Sequence, residues 1–460
     1  LNPFVVRDTS YNDIFVVAAT DRRVTSNADV TSWAFHSFLS PYGHRNIVGN
    51  PLINSIATDV NGATISGGGT QSNANKIGSI TGTSADYAVI SGGYDNTNDQ
   101  LGSVVSGGAH NRLKQGLLVA GVPKASYNTI GGGTLHNIGG TSNFCFIGGG
   151  SGCNMPSSNF SVMVASNASS FGYDANYSSL IATNACVNNA VSTLITGASN
   201  RADTTSSHGG IFGLSNRIWT GTGSFIVGQS NNVHGTGQFI SGQNNTINAT
   251  RTNFASIVGG TNNTIAGATT GGGSNAAIVG GLSNTIGSTN NAGYAFIGGG
   301  RANTINGGDN CATVGGYNNT INTNTTQSVI IGGINNMVNP NLTNVVMLGT
   351  IGRTALESNT TYTEAIVANG SITTPVLIIS SSITLDATHS TVIIPAASTF
   401  SITLPPASGA KGRNYTVINK SGSLKTIGSY LNLSDTALST IPTASSIELQ
   451  SDGVNWQQIR

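Results

Sequence analysis

Residues able to do chemistry are scarce in this sequence and poorly grouped. Between residues 157 and 339 the carboxylates are Asp174, Asp203 and Asp309, and the cations are Arg201, Arg217, Arg251 and Arg301. Polysaccharide cleavage needs two carboxylates at a fixed separation, or a base beside cationic partners. Asp174 and Asp203 are too widely spaced to count as a pair. Asp95 and Asp99 flank Asn96-Thr97-Asn98 and read as a solvated turn. His110 in Gly107-Gly-Ala-His-Asn111 and His136 in Gly133-Thr-Leu-His-Asn137 occupy similar turn positions. Three copies about an axis would turn either into a metal- or anion-binding ring, but exposed turn histidines are the simpler expectation. The Gly-Gly-Gly runs at Gly67, Gly131, Gly148, Gly271 and Gly298 are not followed by Gly-Lys-Ser/Thr, so they are not phosphate loops. The expectation is a non-enzyme with no catalytic residue, no cofactor and no metal.

The elements that would position such residues are written in the composition. Of 460 residues only 8% are charged, with 18 Lys+Arg against 17 Asp+Glu and a net charge of +1; an ordinary globular chain carries about 25%. Nucleic-acid binding needs several cations on one face, and no basic run exists. No apolar stretch reaches the roughly 18 residues of a membrane span, so no membrane insertion is expected. Glycine supplies 62 residues and hydrophobics 38%, which excludes a disordered chain. Asn-x-Ser/Thr triplets, as at Asn341 and Asn432, arise by chance at this composition. Thr beside Asn occurs once per repeat in varied context, short of the regular Thr ladders an ice-binding face would want.

One repeat dominates the middle. Ile257-Val-Gly-Gly-Thr-Asn-Asn-Thr-Ile265 recurs as Ile278-Val-Gly-Gly-Leu-Ser-Asn-Thr-Ile286 and Ile297-Gly-Gly-Gly-Arg-Ala-Asn-Thr-Ile305, then from Val314 to Ile321 and from Ile331 to Val338. Aligned on the glycine after the apolar pair, Gly213, Gly228, Gly242, Gly259, Gly280, Gly299, Gly315, Gly332 and Gly349 are 14 to 21 residues apart. The unit reads as a strand, a Gly-Gly turn that exploits positive φ, an Asn-Asn pair tolerant of the left-handed region, a Thr-Ile strand and a variable loop. No proline interrupts residues 157–339, as expected where each N–H bonds the next coil. The fold class expected is all-β: a parallel β-solenoid or β-roll shaft with coils of about 16 residues. A coil this short cannot enclose a private core, so units must stack, and the thin roll leaves a face that three chains about one axis would cover. Cys153 and Cys186 fall at matching offsets two coils apart, about 10 Å and beyond disulfide reach. With Cys145 and Cys311 they read as small buried residues.

The ends differ from the shaft. Residues 1–58 are richer in charge and read as an N-terminal β attachment element, with Trp33, Phe35 and Phe38 as an inter-chain core. Residues 59–352 are the solenoid, 353–374 a neck, and 375–460 a C-terminal β-sandwich-like cap built from runs such as Val376–Ile379, Thr391–Ile394 and Tyr415–Ile418.

Two resemblances follow from these motifs. The repeats over roughly residues 60–350 resemble the head β-rolls of trimeric autotransporter adhesins, with a longer and less regular coil. The run from Ile402 through Pro405-Pro406 and Lys411-Gly-Arg-Asn-Tyr415 to Asn419, closing with Leu449-Gln-Ser-Asp-Gly-Val-Asn-Trp456, is similar to the C-terminal module of trimeric fibre and tail-spike proteins of phages and large DNA viruses. Pro3-Phe-Val-Val-Arg-Asp8 with Ile14-Phe-Val-Val17 is similar to strands that open such fibres. The resemblance implies a homotrimeric structural protein on the virion surface. It would hold virion proteins through its N-terminal element and meet host-surface glycans, with Arg413, Tyr430 and Trp456 of the cap as candidate contacts. The alternatives are a surface adhesin or extracellular filament subunit, outside or on a cell, and then a polysaccharide-degrading β-helix enzyme.

Overall fold

The computed structural model describes residues 4–7, 13–17, 24–25, 35–40, 43–78, 85–115, 126–139, 141–267, 275–287, 293–367 and 373–460. Trp33 and the side chains of Phe35 and Phe38 lie outside the described residues. The chain divides into two compact units, Leu1–Glu364 and Ala365–Arg460. The first is a parallel β-solenoid of about 19 turns with coils of about 16 residues.

Each coil contributes one rung to each of two parallel sheets. In the coil at residues 256–266, the first strand Ser256–Ile257 pairs with Ala277–Ile278, and the second strand Thr264–Ala266 pairs with Thr285–Ile286. The strands are short because each needs only one inward side chain. Ile257 and Ile265 are fully buried and stack on Ile278 and Ile286. A side chain of that size stabilises by about 1.5–3 kcal/mol when removed from water, and successive coils repeat the contact down one continuous core.

The turn between the two strands is held by asparagine. Asn263 is fully buried; its side-chain amide donates to the carbonyls of Gly259 at 3.2 Å and Gly281 at 3.1 Å. Its oxygen accepts the backbone N–H of Asn284 at 2.9 Å. The motif repeats from Asn200 through Asn216, Asn231 and Asn245 to Asn336. One side chain thus satisfies backbone groups of its own coil and of the next, groups that would each cost about 1–3 kcal/mol if buried unpaired.

This ladder corrects the reading of the Asn-Asn pair. The left-handed residue is the first of the two, Asn262 at φ 57°, and Ser283 and Ala302 take the same conformation at its equivalents. The second Asn is the constrained one. The glycine register shifts as well. The stacking partner of Gly242 is Gly260 and not Gly259: at φ 82° a Cβ on Gly260 would strike the Gly281 carbonyl oxygen, as one on Gly242 would strike that of Gly260. Gly259 is the added residue that lengthens these turns. In the later copies Val314 and Ile331 face outward, and Thr313 and Ile330 take the inward position.

The coils outrun the expected boundaries. The rungs begin at Arg45–Gly49, which pairs antiparallel with Phe35–Leu39 and parallel with the next coil. They continue through Thr354–Ala355 and Thr361–Thr363, inside the segment read as a neck. The N-terminal strands Phe4–Arg7, Asp13–Val17 and Val24–Thr25 form a three-stranded antiparallel sheet.

The second unit is not built of antiparallel strands throughout. Val376–Ile378 pairs parallel with Thr391–Ile394, which pairs parallel with Asn414–Asn419, while Ile383–Thr384 pairs parallel with Ile402–Thr403. Residues 376–403 therefore alternate between two parallel ladders as the coils do. An antiparallel set follows, with Ser445–Ser451 between Asn414–Asn419 and Trp456–Gln458.

Candidate functional site

The residues singled out in the second unit do not form an outward site. Tyr430 and Trp456 are 2% and 3% exposed. The Tyr430 hydroxyl donates to the Thr440 carbonyl, and burial raises its pKa. The Trp456 indole donates to the Pro405 carbonyl and its ring stacks on Tyr415. Both rings are core, and neither offers a face to a sugar. Arg413 is half-buried and donates to the Tyr415 hydroxyl at 3.4 Å.

The histidines of the shaft separate. His110 takes the left-handed turn position, with Nδ1 2.7 Å from Asp95 and its ring edge-on to Tyr94; its equivalent one coil on is Leu135. His136 is fully buried in the asparagine column, accepting the Cys153 N–H on Nδ1 at 3.3 Å. Burial lowers its pKa, opposed by a hydrogen bond to the Gly150 backbone. Ser169 and Cys186 follow it in the column, so His136, Cys153, Ser169 and Cys186 together stand where asparagine stands elsewhere. The four cysteines are buried and unbridged, and burial pushes the Cys145 and Cys311 thiols up to about 11. Asp99, expected in a solvated turn, is 1% exposed. Among the described residues no group of three or more His, Cys, Asp or Glu is placed to hold a metal ion.

Two outward surfaces carry distinctive chemistry. The first is apolar and lies on the outside of the first sheet. Val227, Val258, Val279, Val314, Ile331 and Leu348 occupy one column, which Ser241 interrupts after Val227, and Phe225, Phe239 and Phe296 the column two residues before it, with Ser256 and Ala277 between Phe239 and Phe296; the named hydrophobic residues are 37–51% exposed, apart from Ala277. Where Gly298 interrupts the first column, the Phe296 ring lies against it. The stripe begins near Phe146. At the corner leading into the same sheet, Tyr127, Phe144, Phe160 and Tyr177 stack ring on ring at 5.1–5.5 Å. All four rings sit on left-handed backbone and are about half exposed, a conformation bulky residues rarely adopt. Between Leu194 and Phe225, Gly209 and Gly210 leave a shallow groove of about 290 Å³ edged by His208 and Phe212.

The second surface is polar and lies on the outside of the second sheet. Thr246, Thr264, Thr285, Thr304 and Thr320 stack in register, a more regular ladder than the sequence suggested, although a single column. Earlier coils replace that column with charge. Asp203 accepts the Arg201 Nε at 2.6 Å, and its other oxygen accepts Nε and Nη2 of Arg217 at 2.9 and 2.7 Å. The Arg217 guanidinium lies over the Trp219 ring, on which His234 stacks at 5.2 Å. Burial first, and Arg217 second, lower the His234 pKa against the pull of Asp203, so this imidazole is neutral near pH 7. The pairing register shifts between Ala202 and Thr205 and again between Ile218 and Thr220, which makes Trp219 a bulge residue. Spacing alone had hidden this convergence: Arg201 and Arg217 meet only because one coil step brings them side by side. Asp174 lies two coils from Asp203 on an exposed corner, so the two do not pair.

No protein-family model matches the chain, and no curated protein is detectably similar to it.

Proposed function

We propose that the protein is a structural fibre subunit of a virion appendage, non-catalytic, in which copies associate through the apolar stripe into a trimeric shaft that meets a host surface. The stripe carries this reading. At about 4.8 Å per rung it runs for about 60 Å from Phe146 to Leu348. Up to two side chains wide and broken by Ser179, Thr196, Ser241 and Ser256, it spans on the order of 800 Å² with those breaks included, the share each partner gives to an ordinary stable interface. The count of three rests on the resemblance of the repeats to adhesin heads, and the virion setting on the resemblance of residues 402–456 to viral fibre modules. A cyclic arrangement keeps like ends together, as a fibre held at one end requires. Binding is favoured over cleavage because Asp203 is neutralised by two arginines and, among the described residues, has no second carboxylate beside it.

Light scattering tests the reading. The mass expected is about three times the 46.6 kDa of one chain, falling to one chain when Val279→Lys and Ile331→Lys are combined. A monomeric wild-type chain refutes it.

A further inference from the structure

We propose that the outer patch formed by Arg201, Asp203, Arg217, Trp219 and His234 is a binding site for an acidic oligosaccharide, one bearing carboxylate or sulfate groups. The proposal rests on the surface-attachment reading only for where such a glycan would be met.

Three of the seven charged residues between 157 and 339 converge on this one spot. The fold does not require charge there, because threonine fills the same outward column from Thr246 to Thr320. Nor does stability account for it, since ion pairs this close to solvent contribute about 0–1 kcal/mol. What the arrangement does is orient guanidinium groups. Asp203, its side chain 15% exposed, holds Arg217 through two donors and Arg201 through Nε. Two cations against one anion leave a net charge of +1, and the neutral His234 adds none. Arg201 remains 47% exposed and is gripped at the inner end of its guanidinium. Its Nη edge is therefore left for a planar carboxylate or a sulfate, the geometry this fork matches in bidentate pairs.

The surroundings suit a sugar better than a bare anion. Trp219 is 37% exposed, with Arg217 over its ring and His234 stacked on it. Thr205 donates to the Trp219 carbonyl at 2.9 Å, and the Ser207 and Thr222 hydroxyls meet at 3.2 Å farther along the same strands. Hydroxyls beside an oriented guanidinium match a ligand that alternates hydroxyl and acid groups. A polyphosphate backbone would need several more cations on the face.

The test is calorimetry on the full chain with three probes of matched length: oligogalacturonate, a heparin-derived oligosaccharide and neutral dextran oligomers. The expected result is at least tenfold tighter binding of one or both acidic probes than of dextran, weakened as salt is raised. Arg201→Ala should lower that affinity tenfold or more with an unchanged circular dichroism spectrum. Arg301→Ala, removing a shaft arginine that lies against Tyr317, should leave it intact. Equal binding of acidic and neutral probes, no binding of either acidic probe, or equal losses in the two variants overturns the proposal. Mass measured on the same samples separates the failures: lost affinity at constant mass concerns this patch, whereas a changed mass concerns the assembly.

Discussion

The two sheets of the solenoid share one construction and differ only in what they show to the outside. A typical rung is a short strand with a single buried aliphatic residue, Ile278 on the first sheet and Ile286 on the second. Outward, the first sheet carries Val279 and Phe296, the second Thr285 and Thr304. The inward position is isoleucine in most coils, with Asn98, Phe171, Asn188, Ala202 and Thr313 among the exceptions. The outward residues vary freely in folding terms, so folding alone does not dictate the segregation of apolar from polar columns. In a coil this thin, interior and exterior alternate residue by residue, and a fold signal and a surface signal are interleaved in the same dipeptide.

The comparison can be broken most severely from inside. Ile278→Ala should cost about 3–4 kcal/mol of stability through lost transfer energy and an unfilled cavity. Val279→Ala, one residue on, should stay within about 0.5 kcal/mol when measured at a dilution that keeps the chain monomeric. Chemical unfolding of both variants checks this, and equal losses would mean that the inward and outward assignments are wrong.

A smaller effect is expected at the turn. Asn263→Ala strands the Asn284 N–H and the Gly259 carbonyl, a loss of about 3 kcal/mol for two buried polar groups. Asn262→Ala should cost only about 1 kcal/mol, the preference of asparagine over alanine in the left-handed region. Alanine already stands there at Ala302. Thermal melts of the pair would show whether the ladder residue or the turn residue carries the motif.

The smallest expected effect compares the asparagine column with its substituted stretch. His136 is held below its usual 6.5 by burial, so the unfolded chain binds its proton more readily than the folded one. Stability from this group is intact above about pH 6.5 and falls as pH drops below that value toward the lowered folded pKa. His136→Asn restores the column's usual residue, and melting temperatures at about pH 7.5 and pH 5 should differ less in the variant than in the wild type. Identical pH dependence in the two proteins would count against a titrating His136.

Much of the solenoid was legible because its period is carried by residue types with narrow uses: glycine for positive φ, asparagine for the turn, and isoleucine for the core. Less was legible where two residues compete for one role. Either glycine of Gly259-Gly260 satisfies a turn pattern, and only the stacking of Gly260 between Gly242 and Gly281 identifies the structural one. In the second unit, the strands Lys425–Leu431 and Ala437–Ile441 were not anticipated. Lys425 is buried with its ammonium donating to the Ser398 carbonyl, and Ala437–Ile441 is largely exposed, so neither shows clean alternation. The choice of Tyr430 and Trp456 as surface contacts failed for a related reason: an aromatic in a short strand has the same sequence signature whether it faces core or solvent.

By itself the sequence determined the all-β class, the coil length and the near absence of charge, because these depend on composition and on residue spacing within one coil. The tertiary structure alone decided which residues of successive coils become neighbours. Arg201, Asp203, Arg217, Trp219 and His234 span more than thirty positions, and no local rule joins them. They meet because hydrogen bonds between parallel rungs stack each coil on the last in a fixed register, so that separation along the chain becomes a few ångströms along the shaft.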